Sequence, residues 1–299
     1  MSNTLTSNES AFRRKMRAEW IKHLIVIAVL CIELLPFYMM LQISVKDNTT
    51  FIQNPWLPPN TILPDQSARP DVDTSSWRWS NYKFGIRLIA PYVANTVFVA
   101  VLSAVGTLML SILGAYFFAR YKMPFSNLFW GMFLFLLLMP SIANIVPLFN
   151  LLKKLDLLNN LFALIIVHTA AGQAFNILIL KNFIEEVPKD LFEAAEIDGA
   201  THLQQVVNIV LPLCGPIIGT LAIFILIGSW NEYLLPLIIM RDKELFTLGV
   251  GLIYLDGEYV KQWGLIMSSF MVASIPLIIV FLFTMKLFIR GLSSGAVKG

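Results

Sequence analysis

Charge is what this 299-residue chain has little of: Asp, Glu, Lys and Arg make up 14% of it, where ordinary soluble domains carry about 25%. With 57% hydrophobic residues and a mean hydropathy of +0.71, that shortage argues against a soluble enzyme. Disorder is excluded by the 22 Phe and 7 Trp, because an unfolded segment lacks apolar surface to bury. The formal balance is only +3, and no basic stripe interleaves with aromatics, so no nucleic-acid partner is expected. Cysteine is nearly absent. Cys31 and Cys214 sit in separate apolar stretches and suggest neither a disulfide nor a metal site. The three histidines, His23, His168 and His202, have no metalloprotease spacing, and no nucleophile elbow occurs. A glycine-rich loop ending in Lys-Ser or Lys-Thr is also missing, so the chain has no recognisable means of binding ATP itself. No catalytic residue, metal ligand or bound cofactor is expected.

What is present is length in apolar runs. Six stretches approach or exceed the roughly 20 helical residues that cross a hydrocarbon core: His23 to Ile43, Val93 to Phe118, Leu128 to Leu148, Leu161 to Leu180, Leu211 to Leu235 and Gly264 to Ile289. The first follows Arg13, Arg14, Lys15, Arg17 and Lys22 with no small-residue cleavage site after it, and reads as a retained span. An even number of spans puts both termini on one side. Lys and Arg divide twelve to ten in favour of the side with the termini, and five of the ten fall in the long Lys46 to Pro91 segment, which weighs less than short flanks. Both termini are therefore expected in the cytoplasm.

The Lys46 to Pro91 segment holds Trp56, Trp77, Trp79, several prolines and four Asp. It reads as an ordered external loop, either a partner-docking surface or a cap with interfacial tryptophans. In the second span Ser103, Gly106, Thr107, Ser111 and Gly114 recur at three- and four-residue spacing, a face for close backbone approach; Gly215 and Gly219 suggest the same for the fifth. Polar residues inside spans are costly and usually face a bundle interior or a watery path. Those here are Glu33; Asn144 between Pro140 and Pro147; His168, Gln173 and Asn176; and Asn231 with Glu232. Asn144, Gln173, Asn176, Asn231 and Glu232 are candidates for a solute path, with interhelical hydrogen bonding as the alternative. An unbroken fifth helix would put Glu232 roughly 30 Å from its start, near the external interface.

The sharpest feature is the loop Pro188 to Pro212, PKDLFEAAEIDGATHLQQVVNIVLP. Asp190 with Glu193 makes a capping-box pattern for a helix starting at Leu191; Gly199 stops it, and Thr201 with Gln204 opens another. Leu191, Ala194, Ala195 and Asp198 share one face, with Phe192 and Glu196 beside it. Apolar Leu191, Phe192 and Ile197 exposed among six carboxylates between Glu185 and Asp198 suit insertion into another protein. A well-capped connecting loop is the plainer alternative.

Glu193-Ala194-Ala195, Gly199 and Ile209-Val210-Leu211-Pro212, in ungapped spacing, resemble the EAA signature of permease subunits in binding-protein-dependent ABC importers. Trp230-Asn231-Glu232-Tyr233 and Trp263 to Met267 resemble segments of the sugar-transporting branch, and the ending Phe288 to Gly299 is similar to that of maltose-type smaller permease subunits. The resemblance runs from the first span onward and is weakest over the Lys46 to Pro91 loop, which is longer than expected. It implies an all-α polytopic membrane protein with the type I ABC importer permease fold and six transmembrane helices. Its parts would be a cytoplasmic segment (1–22), a first helix (23–43), an external loop (44–92), a five-helix core (93–289) carrying a coupling loop at 181–210, and a cytoplasmic tail (290–299). The implied partners are a second permease subunit, two ATPase subunits that hold ATP and Mg, an extracytoplasmic solute-binding protein and the lipid of a prokaryotic cell membrane. Leu191, Phe192, Glu193, Ala194, Ala195, Asp198 and Gly199 would couple to the ATPase. The Gly249 to Tyr259 loop would reach the binding protein and the Gly291 to Gly299 tail the ATPase pair. A stand-alone secondary carrier and a non-transporting scaffold are the competing readings.

Overall fold

The computed structural model describes residues 2–58, 77–122, 124–257 and 261–296, and no strand occurs among them. Among the described residues three helices are long and apolar enough to cross a membrane: Glu19–Ser44 within α1 (Ser2–Ser44), α3 (Ser80–Arg120), and Trp263–Met285 within α14 (Trp263–Ala296). Six crossings result only if each of three bent helix pairs counts as one. Ser126–Leu138 (α4) and Ile142–Lys154, which contains α5 (Ile145–Lys154), bend by 95°. Leu161–Ala171 (α6) and Gln173–Glu185 (α7) bend by 44°. His202–Leu213 and Gly215–Asn231 (α11) bend by 84°. Pro36, Pro91 and Pro276 lie inside helices that pass the span test unbroken.

By internal packing the chain divides into two units: Met1–Gly85 with Tyr259–Val272, and Ile86–Glu258 with Ala273–Gly299. In the first, the expected external loop is shorter at its far end than its composition suggested, because residues 80–91 already belong to α3; residues 59–76 of that loop lie outside the described residues. Its start is tightly organised. Asp47 caps α2 (Asn48–Gln53), its Oδ1 accepting from the Thr50 amide at 2.7 Å. Buried Lys46 donates from Nζ to the carbonyls of Asn54 and Leu57, at 2.7 and 2.6 Å. Asn48 donates to the Lys261 carbonyl and accepts from the Trp263 amide, and Phe51 packs on Trp263 with ring centroids 5.2 Å apart. Trp77 and Trp79 stack at 6.0 Å.

In the second unit the small-residue face of α3 does what its spacing predicts. Ser103, Thr107 and Ser111 are fully buried. A Cβ on Gly106 would lie 2.9 Å from Thr169 Oγ1, and one on Gly172 would lie 2.7 Å from Thr107 Cγ2, so α3 meets the α6–α7 bend closer than side chains allow. Within this chain Gly215 makes no such approach, since its Cβ would meet nothing within 4 Å. The fifth apolar stretch is also not one helix. Val206–Val210 is a π turn in which the Leu211 amide reaches back to the Val206 carbonyl. Pro212 accounts for it: its ring would clash with the Asn208 carbonyl, and the wider turn relieves that. After α10 (Leu211–Leu213), Cys214 leaves the helical region and Pro216 opens α11. α11 has 17 residues, about 25 Å of rise, and ends before Glu232. Placing Glu232 by one straight helix from Leu211 is therefore incorrect. The segment 249–257, expected as a loop, is helical (α13, Leu248–Gly257); residues 258–259, and 297–299 of the tail, lie outside the described residues.

Candidate functional site

The loop begins with Pro188, whose φ of −54° suits a helix start and whose missing N–H needs no partner. α8 (Lys189–Ile197) follows directly, two residues earlier than the capping pattern suggested, and no side chain caps it. The Asp190–Glu193 box is therefore not formed; Asp190 instead sits in the first turn, where a carboxylate favours the helix dipole. α8 ends as expected. Gly199 has φ +76°, a left-handed conformation that glycine adopts at little cost. The amides of Asp198, Gly199 and Ala200 bond back to the carbonyls of Ala194, Glu196 and Ala195, satisfying the helix end. The second box is complete: Thr201 Oγ1 accepts from the Gln204 amide, and Gln204 Oε1 accepts from the Thr201 amide at 2.7 Å, opening α9 (His202–Gln205).

Of the residues grouped as coupling candidates, Leu191, Glu193, Ala194, Asp198 and Gly199 are exposed and Ala195 is half-buried. Ile197 is 86% exposed. Phe192 departs from expectation. It is wholly buried against its own chain, in a cluster with Ile112, Ala115 and Tyr116 of α3, Leu180 and Ile184 of α7, and Val206 and Val210. The Arg120 guanidinium lies 4.2 Å from its ring centroid, within cation–π range. Phe192 thus anchors α8 to the bundle and leaves Leu191 and Ile197 as the exposed apolar pair, with the carboxylates of Glu193, Glu196 and Asp198 around them.

Residues that the loop sequence gave no reason to include complete the anchor. Tyr116 is fully buried and donates from its hydroxyl to Gln205 Oε1 at 2.7 Å. His202 Nδ1 lies 3.1 Å from the Tyr121 hydroxyl and 3.3 Å from that of Tyr116. One signal pointed to Tyr116: it continues the buried four-residue progression of Ser103, Thr107 and Ser111, one position beyond the ideal step.

The solute-path candidates separate into two groups. Gln173 and Asn176 are used within the bundle. Gln173 Oε1 accepts from Ser111 Oγ at 2.9 Å, and its Nε2 donates to the Thr169 carbonyl at 2.7 Å; Asn176 is buried and donates to the Gly172 carbonyl. Glu232 is a cap, with Oε1 accepting from the amides of Leu234 and Leu235 at the start of α12 (Leu234–Ile239). Asn144 and Asn231 are exposed, and Asn231 donates to the Ile227 carbonyl one turn back. His168 lies 3.3 Å from Ser229 Oγ. Among the described residues no group of three or more His, Cys, Asp or Glu is placed to hold a metal ion.

Among the described residues, helices without strands, several of them long and apolar enough to cross a membrane, interrupted by a helix–bend–helix with an exposed apolar pair, define a multi-pass membrane protein. A solved chain of a bacterial ABC transporter involved in the import of the acidic polysaccharide alginate shares this fold, with a TM-score of 0.73 over 90% of this chain and 96% of that chain, at 24% identity. The family described as binding-protein-dependent transport system inner membrane component matches residues 108–294, and the chain belongs to it. Among its relatives is a sulfoquinovosyl glycerol transport system permease of Agrobacterium fabrum, 33% identical over 70% of this chain and 73% of the relative. A melibiose/raffinose/stachyose import permease of Bacillus subtilis is 29% identical over 95% of this chain and all of the relative. A trehalose/maltose transport permease of Thermococcus litoralis is 28% identical, again over 95% of this chain and all of the relative.

Proposed function

We propose that this chain is one permease subunit of an ATP-driven sugar importer in a prokaryotic cell membrane, forming half of the solute pathway and coupled through α8 to a separate cytoplasmic ATPase. The observation that carries the coupling reading is the exposed pair Leu191 and Ile197, rimmed by carboxylates on a helix whose other side is fixed by Phe192. An apolar centre with a polar rim is the anatomy of a protein interface. Family membership supports a transport role, and the names of the relatives favour carbohydrate as solute, from disaccharides to short oligosaccharides. A second permease subunit, two ATPase subunits holding ATP and Mg, and an extracytoplasmic binding protein complete the assembly. Closure of the ATPase pair would move the bundle between inward- and outward-facing states as a rigid body. The solute path would draw on Asn144 and Asn231, with Gln173, Asn176 and Glu232 shaping the walls through the bonds they already make.

Gly199→Asp tests the assignment. A Cβ at Gly199 meets nothing within 4 Å of this chain, so its effect falls on the left-handed backbone and on a charge placed at the partner face. The variant is expected to insert normally, to lose at least tenfold in ATPase-subunit recovery on a tagged permease, and to lose uptake. Undiminished recovery and uptake would overturn the coupling role. Gradient-driven uptake by the chain alone in vesicles without nucleotide would establish a stand-alone carrier instead.

A further inference from the structure

Tyr116 meets both arms of the loop on either side of Gly199. Its ring lies 6.2 Å, centroid to centroid, from Phe192 of α8 and 6.2 Å from His202 of α9. Its hydroxyl bonds Gln205 at 2.7 Å. Gln205 is 1% exposed, and its Nε2 has no hydrogen-bond partner among the described residues, so the bond from Tyr116 is the hold on that amide. Arg120, one turn further along α3, covers Phe192, and Tyr121 reaches His202 from the same helix end. A glycine bend with nothing else across it is free to flex; here both arms are tied to a single buried residue of α3.

We infer that Tyr116 is a positioning residue for coupling, clamping α8 and α9 to the cytoplasmic end of α3 so that the Gly199 bend acts as a fixed angle and not as a hinge. The inference rests on the coupling reading of α8. In this arrangement a displacement of α8 by the ATPase is delivered to α3 without being absorbed at the glycine. The hydroxyl is the specific part of the clamp as long as Gln205 is there, since without it the buried amide is left with no partner and works against the seating of the second arm.

The test is amide hydrogen exchange on the assembled permease–ATPase complex in lipid nanodiscs, with and without MgATP as the added probe. Tyr116→Phe keeps the ring and removes the bond to Gln205. A lost buried hydrogen bond that strands its partner makes opening about fivefold to tenfold easier. Exchange in both 189–198 and 202–210 is expected to rise by that factor, with 161–185 unchanged and the ATPase subunits retained. The MgATP-driven change in exchange at 104–120 is expected to fall at least threefold while hydrolysis continues. Tyr116→Phe with Gln205→Leu removes both partners, and exchange should return to within about twofold of the parent protein. Faster exchange confined to 202–210, or an undiminished MgATP-driven change at 104–120, would overturn the clamp. Retention of the ATPase by Gly199→Asp would instead overturn the coupling reading on which it rests.

Discussion

Phe192 gives α8 its fixed side. It is fully buried between Tyr116 and the Arg120 guanidinium, and truncating a buried Phe costs about 3–5 kcal/mol because the transfer energy and the cavity add. Phe192→Ala is expected to leave α8 formed but loosely held. Thermal unfolding of the detergent-solubilised chain should fall by several degrees, and ATPase recovery should fall although no exposed interface atom has changed. Unaltered recovery would show that α8 needs no fixed seat. Some of this was legible from the residues alone. Gly199 with its positive φ and the Thr201–Gln204 box follow from local chemistry, which acts over four residues and so is written within four residues. The burial of Phe192 was not legible, because it depends on Tyr116, some 76 positions earlier in the chain, and its apolar neighbours Leu191 and Ile197 look identical in sequence while facing away. The Asp190–Glu193 box failed for a local reason that was visible: Pro188 allows the helix to start directly after it.

Between elements, the decisive contact is α3 against the α6–α7 bend. Gly172 stands 2.7 Å, by its projected Cβ, from Thr107 Cγ2; Thr107 lies within α3, and Gly172 is held between α6 and α7 as the cap of both. Gly172→Leu is expected to destabilise by about the 1–3 kcal/mol typical of overpacking, since Gln173 bonds to the Thr107 carbonyl and Asn176 to the Gly172 carbonyl at this contact. Its readout is the thermal midpoint, and Gly215→Leu, in open space, is the control expected to change little. The small-residue spacing of α3 foretold this packing. The bends did not show in hydropathy, which sums composition and is blind to the direction of the chain; only Pro216 just inside α11 and Pro140 before the 95° turn marked them. Just after α1, burial alone would raise the Asp47 carboxyl, but its bonds from the Thr50 amide and the Thr49 and Thr50 hydroxyls, with Arg78 nearby, outweigh that and hold it below the ordinary carboxylate value. The sign follows. A depressed folded value contributes stability at pH above the unfolded value of about 3.9, lost as pH falls through the folded one. Thermal stability should therefore be insensitive to this group from neutrality down to about pH 5, and drop below about pH 4. Asp47→Asn should remove that part of the acid response, and an unchanged acid limb would refute the capping role.

At the scale of the whole molecule, a chain with so few charges is expected to place them where water is, and their distribution bears on its orientation. Six of its 19 acidic residues lie between Glu185 and Asp198, beside the apolar pair that the proposed function assigns to an ATPase, and that assignment requires the loop to be cytoplasmic. The count of Lys and Arg, twelve to ten, favours the termini on the same side, and the 46–58 segment is then expected on the opposite one. Ile197 and Ile52, at 86% and 74% exposure, are probes that disturb no packing. With Cys31 and Cys214 replaced by Ser and Ala, Ile52→Cys is expected to react with a membrane-impermeant maleimide in right-side-out vesicles. Ile197→Cys is expected to react only in inverted ones, and to be protected at least fivefold when ATPase subunits are added. Reaction of both from one face would break the even number of crossings. Reversed labelling would place the carboxylate-rimmed loop outside the cell, where no ATP-hydrolysing partner could drive it.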